Sequence, residues 1–237
     1  MNTPNGLHIE INQIRLVNVT LKNNEFHDSI LESLDIDLPV DHVVVFESSF
    51  HENASNVLKC LAGQVPLSAG KILWNNESIF TFESGVDPRD YMGCYFETYR
   101  PGPKDTIRKI LTLDLNNEEY EVVLDYFELK NIENDILLKQ PYSIQKLIYL
   151  IKTACVPQGL SKQILLLQDP ASGLNEDQWL CFLDYIQIQQ RKGYLRHIFM
   201  TNQHPTALRH INHQIALVED GLIYFEQDLN QKKVSHF

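Results

Sequence analysis

Cysteine is scarce in this chain, and long apolar runs are missing. The four cysteines among 237 residues, Cys60, Cys94, Cys155 and Cys181, lie far apart and form no CxxC pair. That spacing excludes a disulfide scaffold and offers neither a zinc nor a thioredoxin-type signature, so the thiols read as small buried hydrophobes. No apolar stretch approaches the roughly 20 residues of a membrane span, which predicts no direct membrane insertion. The opening residues, MNTPNGLHIEI, lack the basic and apolar regions of a signal peptide. Positive charge is also short: 20 Lys+Arg face 31 Asp+Glu, leaving a net charge of -11. A protein that neutralises nucleic-acid phosphates is normally basic, so no nucleic acid is expected as a partner. His197, His204, His210 and His213 lack matching carboxylates or thiols, and no metal site is expected. With 43% hydrophobic residues, the chain is too apolar for disorder and long enough for one large domain. The expectation is a soluble, cytoplasmic globular protein.

Hydrophobic patterning gives an α/β reading. Residues 8–21 and Ile30 to Leu38 alternate as strands, with Ile30, Leu34, Ile36 and Leu38 on one face. Val43 to Phe46 is a continuous apolar run of the kind found in a fully buried central strand. A polar loop, ESSFHENASN, is expected next, then an apolar helix from Val57 to Ala62 that Gly63 stops. A strand follows in SAGKILWNNESIF, with a turn at Asn75-Asn76. After Pro101-Gly102-Pro103, helical patterns run through 105–113, 117–129 and 142–156, the second with Tyr120, Val123, Leu124 and Phe127 on one side. Strand Ile164 to Leu167, helix 175–190, strand His197 to Met200 and a helix around 205–210 resume the alternation. A hairpin turning at Asp220-Gly221 closes it. Strands alternating with helices predict a mostly parallel central sheet with an antiparallel β flank.

In this order the segments resemble the ABC-type ATPase domain, a P-loop NTPase-like fold, from about residue 12 to 226. CLAGQVPLSAGKILWNNESI looks like the family's link from the P-loop helix to the next strand. ILLLQDPASGLN looks like the Walker B strand entering the D-loop, and IALVEDGLIYFE like the terminal hairpin. The interval from Gln168 to Asn202 fits the family spacing between the Walker B aspartate and the switch histidine. The resemblance implies one ABC-like domain over 1–237, with 8–97 and 161–228 as the α/β core and 98–160 as a helical subdomain.

The chemistry departs from the family pattern. A P-loop needs glycines, whose backbone N–H groups wrap phosphates, a lysine, and a hydroxyl that holds Mg²⁺. The corresponding residues run from Ser48 to Ser55. Ser48, His51 and Asn53 replace the glycines, Ala54 replaces the lysine, and Ser55 alone matches. Glu47 and Glu52 bring acid to this segment; a carboxylate about 4 Å from a phosphate charge costs roughly 4 kcal/mol at an effective dielectric of about 20. The Walker B pair is Gln168-Asp169, where a neutral Gln is a poor Mg²⁺ ligand and Asp169 is a methylene shorter than the family's base. The signature equivalent is Pro141-Tyr142-Ser143-Ile144-Gln145, or Tyr142-Ser143-Ile144-Gln145 with one deletion, and neither alignment keeps a glycine. The Q-loop position holds Glu97 and the switch position Asn202, with His204 two residues late. Phe26 stands at the family's interval for an adenine-stacking aromatic, although a strand-end core aromatic is the better reading of it.

These departures imply a degenerate ABC ATPase-like subunit, a pseudo-ATPase with no catalytic residues and no expected cofactor. Its partners would be a membrane permease-type subunit, an intact ABC ATPase, or a second copy of itself, with a peripheral place on the cytoplasmic face of a membrane. Two alternatives stay open. One is a divergent subunit that binds ATP and Mg²⁺ and energises an ABC transporter; the other is a soluble module whose cleft takes another ligand. Tyr91, Tyr95, Phe96 and Tyr99, near Glu97, are candidate contact residues for a partner. Ser172 to Asn175 resembles the D-loop, with Asn175 placed to cap the following helix.

Overall fold

The computed structural model describes residues 11–22, 29–40, 42–78, 91–97, 100–113, 115–155, 163–202, 205–209 and 211–225. Phe26, Tyr99, His204 and His210 lie outside the described residues.

The strands form two sheets. β1 (Ile14–Lys22), β2 (Ser29–Leu38), β4 (Ala69–Trp74) and β5 (Glu77–Ser78) make an antiparallel sheet in the order β2-β1-β4-β5. Asn75 and Asn76 turn the β4–β5 hairpin, both at positive φ, a conformation asparagine tolerates. The second sheet joins β3 (Val43–Glu47), β6 (Met92–Tyr95), β7 (Ile164–Leu167), β8 (His197–Thr201), β9 (His213–Glu219) and β10 (Leu222–Phe225) in the order β10-β9-β3-β8-β7-β6. All its pairings are parallel except the closing β9–β10 hairpin. The expected α/β architecture, a mostly parallel sheet with an antiparallel flank, is the one observed.

Why this sheet is central follows from its side chains. In β3, Val43 and Val45 face one core while Val44 and Phe46 face another. In β7, Leu165 and Leu167 face the first core, Ile164 and Leu166 the second. A strand buried on both faces must be apolar throughout, as these are. The second core lies between the two sheets and takes in α1 (His51–Leu61). The first is closed by the helices on the opposite face: α2 (Ile107–Leu111), α3 (Asn117–Tyr126), α4 (Tyr142–Ala154) and α5 (Glu176–Arg191). Tyr120, Val123, Leu124 and Phe127 are all buried there, as their spacing predicts.

Several expectations need correction. The polar loop expected over 47–56 is only three residues long, because α1 begins at His51 rather than at Val57. The helical patterns of 105–113 and 117–129 are realised as the shorter α2 and α3, and the helix expected near 205–210 is a 3-10 turn, Pro205–Leu208. Tyr95 and Phe96 sit in the cores rather than on a contact surface. Cys60 and Cys155 are buried, but Cys94 and Cys181 are only half-buried. In β2 the alternation breaks at Ser33, which takes positive φ. A bulge there lets Leu31 be buried beside Ile30.

Candidate functional site

Ser48, Glu97, Gln168, Asp169 and Asn202 fall just past the C-terminal ends of β3, β6, β7 and β8, where open α/β sheets place their ligand crevices. Ser48, Ser49 and Phe50 connect β3 to α1. The Ser49 hydroxyl donates to the Glu219 carboxylate, which ties this loop to the end of β9. The Phe50 N–H donates to Ser48 Oγ at 3.2 Å, and the Phe50 side chain is 73% exposed. Asn53 N–H then returns to the Phe50 carbonyl at 2.8 Å, so the chain is already helical where glycines would leave it open. His51 Nε2 lies 3.5 Å from Ser55 Oγ one turn on, and Ser55 is buried. Ala54 is fully buried in the core between the sheets, on the face it shares with Val57, Leu58 and Leu61.

Above the start of α1 opens a cleft of about 670 Å³, bounded by the start of β2, the 48–53 segment and the β9–β10 turn. Glu52, Glu219 and Asp220 line it, and no lysine or arginine does so among the described lining residues. The N-terminal dipole of α1 gives a partial positive charge, and Glu52 in its first turn offsets that charge. The charge that the described residues bring to the cleft is therefore acidic.

A second group gathers beside the ends of β6 and β7. Lys146, in the first half of α4, is only 2% exposed. Its ammonium donates to the Asp169 carbonyl at 2.7 Å, sits 3.5 Å from Glu97 Oε1, and lies 5.6 Å from the centre of the Tyr95 ring. Burial pushes the Lys146 pKa down, while Glu97 and then Asp169 pull it back up. The Tyr95 hydroxyl is driven well above its ordinary range, first by burial and then by Tyr142 and Glu97. Asp169 is 3% exposed and holds a left-handed backbone, φ 43°. Its N–H donates to Thr201 Oγ1 at 3.1 Å. Gln168 is half-buried, with its N–H on the Tyr95 carbonyl at 2.9 Å; Asn202 is half-buried just past β8.

Glu97 and Asp169, read separately from sequence, thus meet at one ammonium. Ser143 and Gln145 lie in the first turn of α4. The Gln145 amide donates to the Gln140 carbonyl at 2.7 Å, turned back toward its own loop. Asn175 caps α5 as expected, and Gln178 completes a capping box with it. Sequence reasoning missed Lys146. The signal was a lysine on a helix that is apolar almost all round. It also missed Glu219, which only the hairpin's return past β3 brings to the cleft. Among the described residues no group of three or more His, Cys, Asp or Glu could hold a metal, and no helix is long and apolar enough to cross a membrane.

No family model and no curated protein sequence matches the chain. Solved structures do. The chain superposes on an ATP-binding subunit of an ABC transporter with a TM-score of 0.73 and 15% identity, covering 94% of this chain and 93% of that one. It also superposes on a nucleotide-free ATP-binding cassette from an ABC transporter (TM-score 0.70, 13% identity, 92% and 94% covered). A third match is a bacterial Atm1-family ABC exporter with ATP bound (TM-score 0.69, 15% identity), where the alignment covers 98% of this chain and 42% of that one. Over most of its length, the chain has the fold of ABC transporter ATP-binding cassettes.

Proposed function

We propose that this protein is a catalytically degenerate ABC ATPase-like subunit with a structural or regulatory role in a transporter-type membrane complex. It is read as a single domain, with residues 98–160 as the helical subdomain. The observation that carries the reading is the register of α1. Helix begins at His51, Ala54 is buried in the core, and the described residues lining the cleft above include carboxylates but no lysine or arginine. A triphosphate there meets like charge and finds no open backbone loop to wrap it. Beyond the cleft, Gln168 and Asn202 replace groups that orient Mg²⁺ and water in the family. What remains is a cassette framework, whose use is docking: to a membrane permease-type subunit, to an intact ABC ATPase, or to a second copy of this chain. The protein would then sit at the cytoplasmic face of a membrane through that partner.

Two measurements on purified protein test the reading. Phosphate release from Mg-ATP should stay at the no-protein background, and the chain should sediment with membranes containing its permease-type partner but not with bare lipid vesicles. Steady turnover that disappears in a Gln168→Ala, Asp169→Ala double variant would overturn the non-catalytic role. Failure to sediment with any native membrane fraction would overturn the docking role.

A further inference from the structure

Lys146 and Asp169 are both buried charged residues, and the Lys146 ammonium sits on the Asp169 carbonyl. A buried ammonium is costly unless fully engaged. Lys146 is engaged on three sides, and each side belongs to a different element. Its stem leaves α4; its ammonium caps the Asp169 carbonyl at the end of β7; Glu97 approaches it from the end of β6. The Tyr95 ring covers it, and Tyr142, one turn earlier on α4, hydrogen-bonds the Tyr95 hydroxyl. Asp169 needs such support, since a left-handed backbone at a non-glycine residue is strained. Thr201 holds its N–H and Lys146 holds its carbonyl, so the sharp turn leaving β7 is fixed from both sides. Tyr142 further packs against Gly173, which also has positive φ and where a Cβ would come within 2.6 Å of the ring.

We propose that Lys146 is the pin of an internal clasp that locks α4, and the helical layer it carries, onto the ends of β6 and β7 without any bound nucleotide. The clasp rests on the proposed non-catalytic role, because a helical layer held in one position suits a docking subunit that does not cycle. The orientation of this layer is set by the Lys146 ammonium held between the ends of β6 and β7. Glu97, with its side chain 45% exposed, is the outer jaw, so the clasp can be loosened there without opening the core.

Amide hydrogen exchange on the full chain tests it, comparing wild type with K146M and E97Q, each with and without millimolar Mg-ATP. K146M keeps the length of the stem and removes the charge. It should speed exchange in the first turns of α4 and at Gln168, Asp169 and Ala171 by about ten- to a hundredfold, the loss expected for one charge-assisted hydrogen bond to a buried carbonyl. E97Q should speed the same amides several-fold while leaving β1, β2 and α1 at wild-type rates. If K146M exchanges everywhere because it fails to fold, E97Q still decides. Rates within twofold of wild type at these amides in E97Q, and in a folded K146M, would overturn the clasp. Phosphate release from Mg-ATP on the same samples separates the two readings. Steady turnover with unchanged exchange at the clasp would sink the non-catalytic role and leave the clasp standing. ATP-dependent exchange at α4 and at Gln168, Asp169 and Ala171 would overturn the clasp itself.

Discussion

Replacing Ala54 by lysine restores the charge that a P-loop carries at that position, and here it should damage the protein. Ala54 lies inside α1, three residues past its start, with no exposed surface. Its neighbours along the helix face, Val57, Leu58 and Leu61, are all buried. A lysine must therefore thread four methylenes into a packed core, which costs about 1–3 kcal/mol in overpacking. It must also bury its ammonium or snorkel past the helix to water, and even partial burial of an unpaired charge costs several kcal/mol. A total of about 3–5 kcal/mol is expected, and at about 2–4 °C per kcal/mol for a chain of this size the melting temperature should fall by about 6–20 °C. Asn53→Lys is the control. Asn53 borders the cleft and is half-buried, so its substitution should cost within about 0.5 kcal/mol. Circular dichroism melts of both variants, with and without Mg-ATP, decide the matter. The reasoning fails if A54K melts within about 1 °C of wild type. It also fails if Mg-ATP restores A54K, because a ligand at 100 times its Kd stabilises by about 2.7 kcal/mol and only a working phosphate cradle would supply it.

Three further outcomes follow from other contacts. Asn175→Ala removes the capping box of α5 and should lower stability by about 1 kcal/mol in urea denaturation, with the m-value unchanged. Gly173→Ala places a Cβ against the Tyr142 ring at a left-handed position; it should cost about 1–2 kcal/mol, and a double-mutant cycle with Tyr142→Ala should recover the steric part while the backbone part remains. The Glu133 carboxyl is held below its ordinary value, first by the Tyr120 hydroxyl at 2.7 Å and then by the Arg108 guanidinium at 2.9 Å. A depressed carboxylate stabilises the fold above the unfolded-state pKa and loses that contribution as pH falls through the folded value. Glu133→Gln should therefore flatten the acid limb of the stability curve below about pH 4.5.

Much of the fold was legible because burial on both faces leaves a plain mark. Val43 to Phe46 and Ile164 to Leu167 read as central strands since every side chain in them meets a core. The closing hairpin was legible in Asp220-Gly221, both of which take positive φ. The start of α1 was not. HENASN is rich in residues whose side chains compete for backbone hydrogen bonds and usually mark turns. Here the burial of Ala54 and Ser55 outweighs that local preference. Asp169 and Glu97 were legible as motif positions, but their meeting was not, because it runs through Lys146. A lysine read from sequence is assigned to the surface, and only three surrounding elements show why this one is inside.

The proposed loss of phosphate handling turns on whether the cleft above α1 accepts a nucleoside triphosphate. Isothermal titration of the wild-type chain with ATP, with and without Mg²⁺, measures this directly. The acidic lining and the early helix predict no saturable heat up to millimolar ATP in either condition. A saturable isotherm with a micromolar Kd that strengthens with Mg²⁺ and is lost in Ser55→Ala would contradict it.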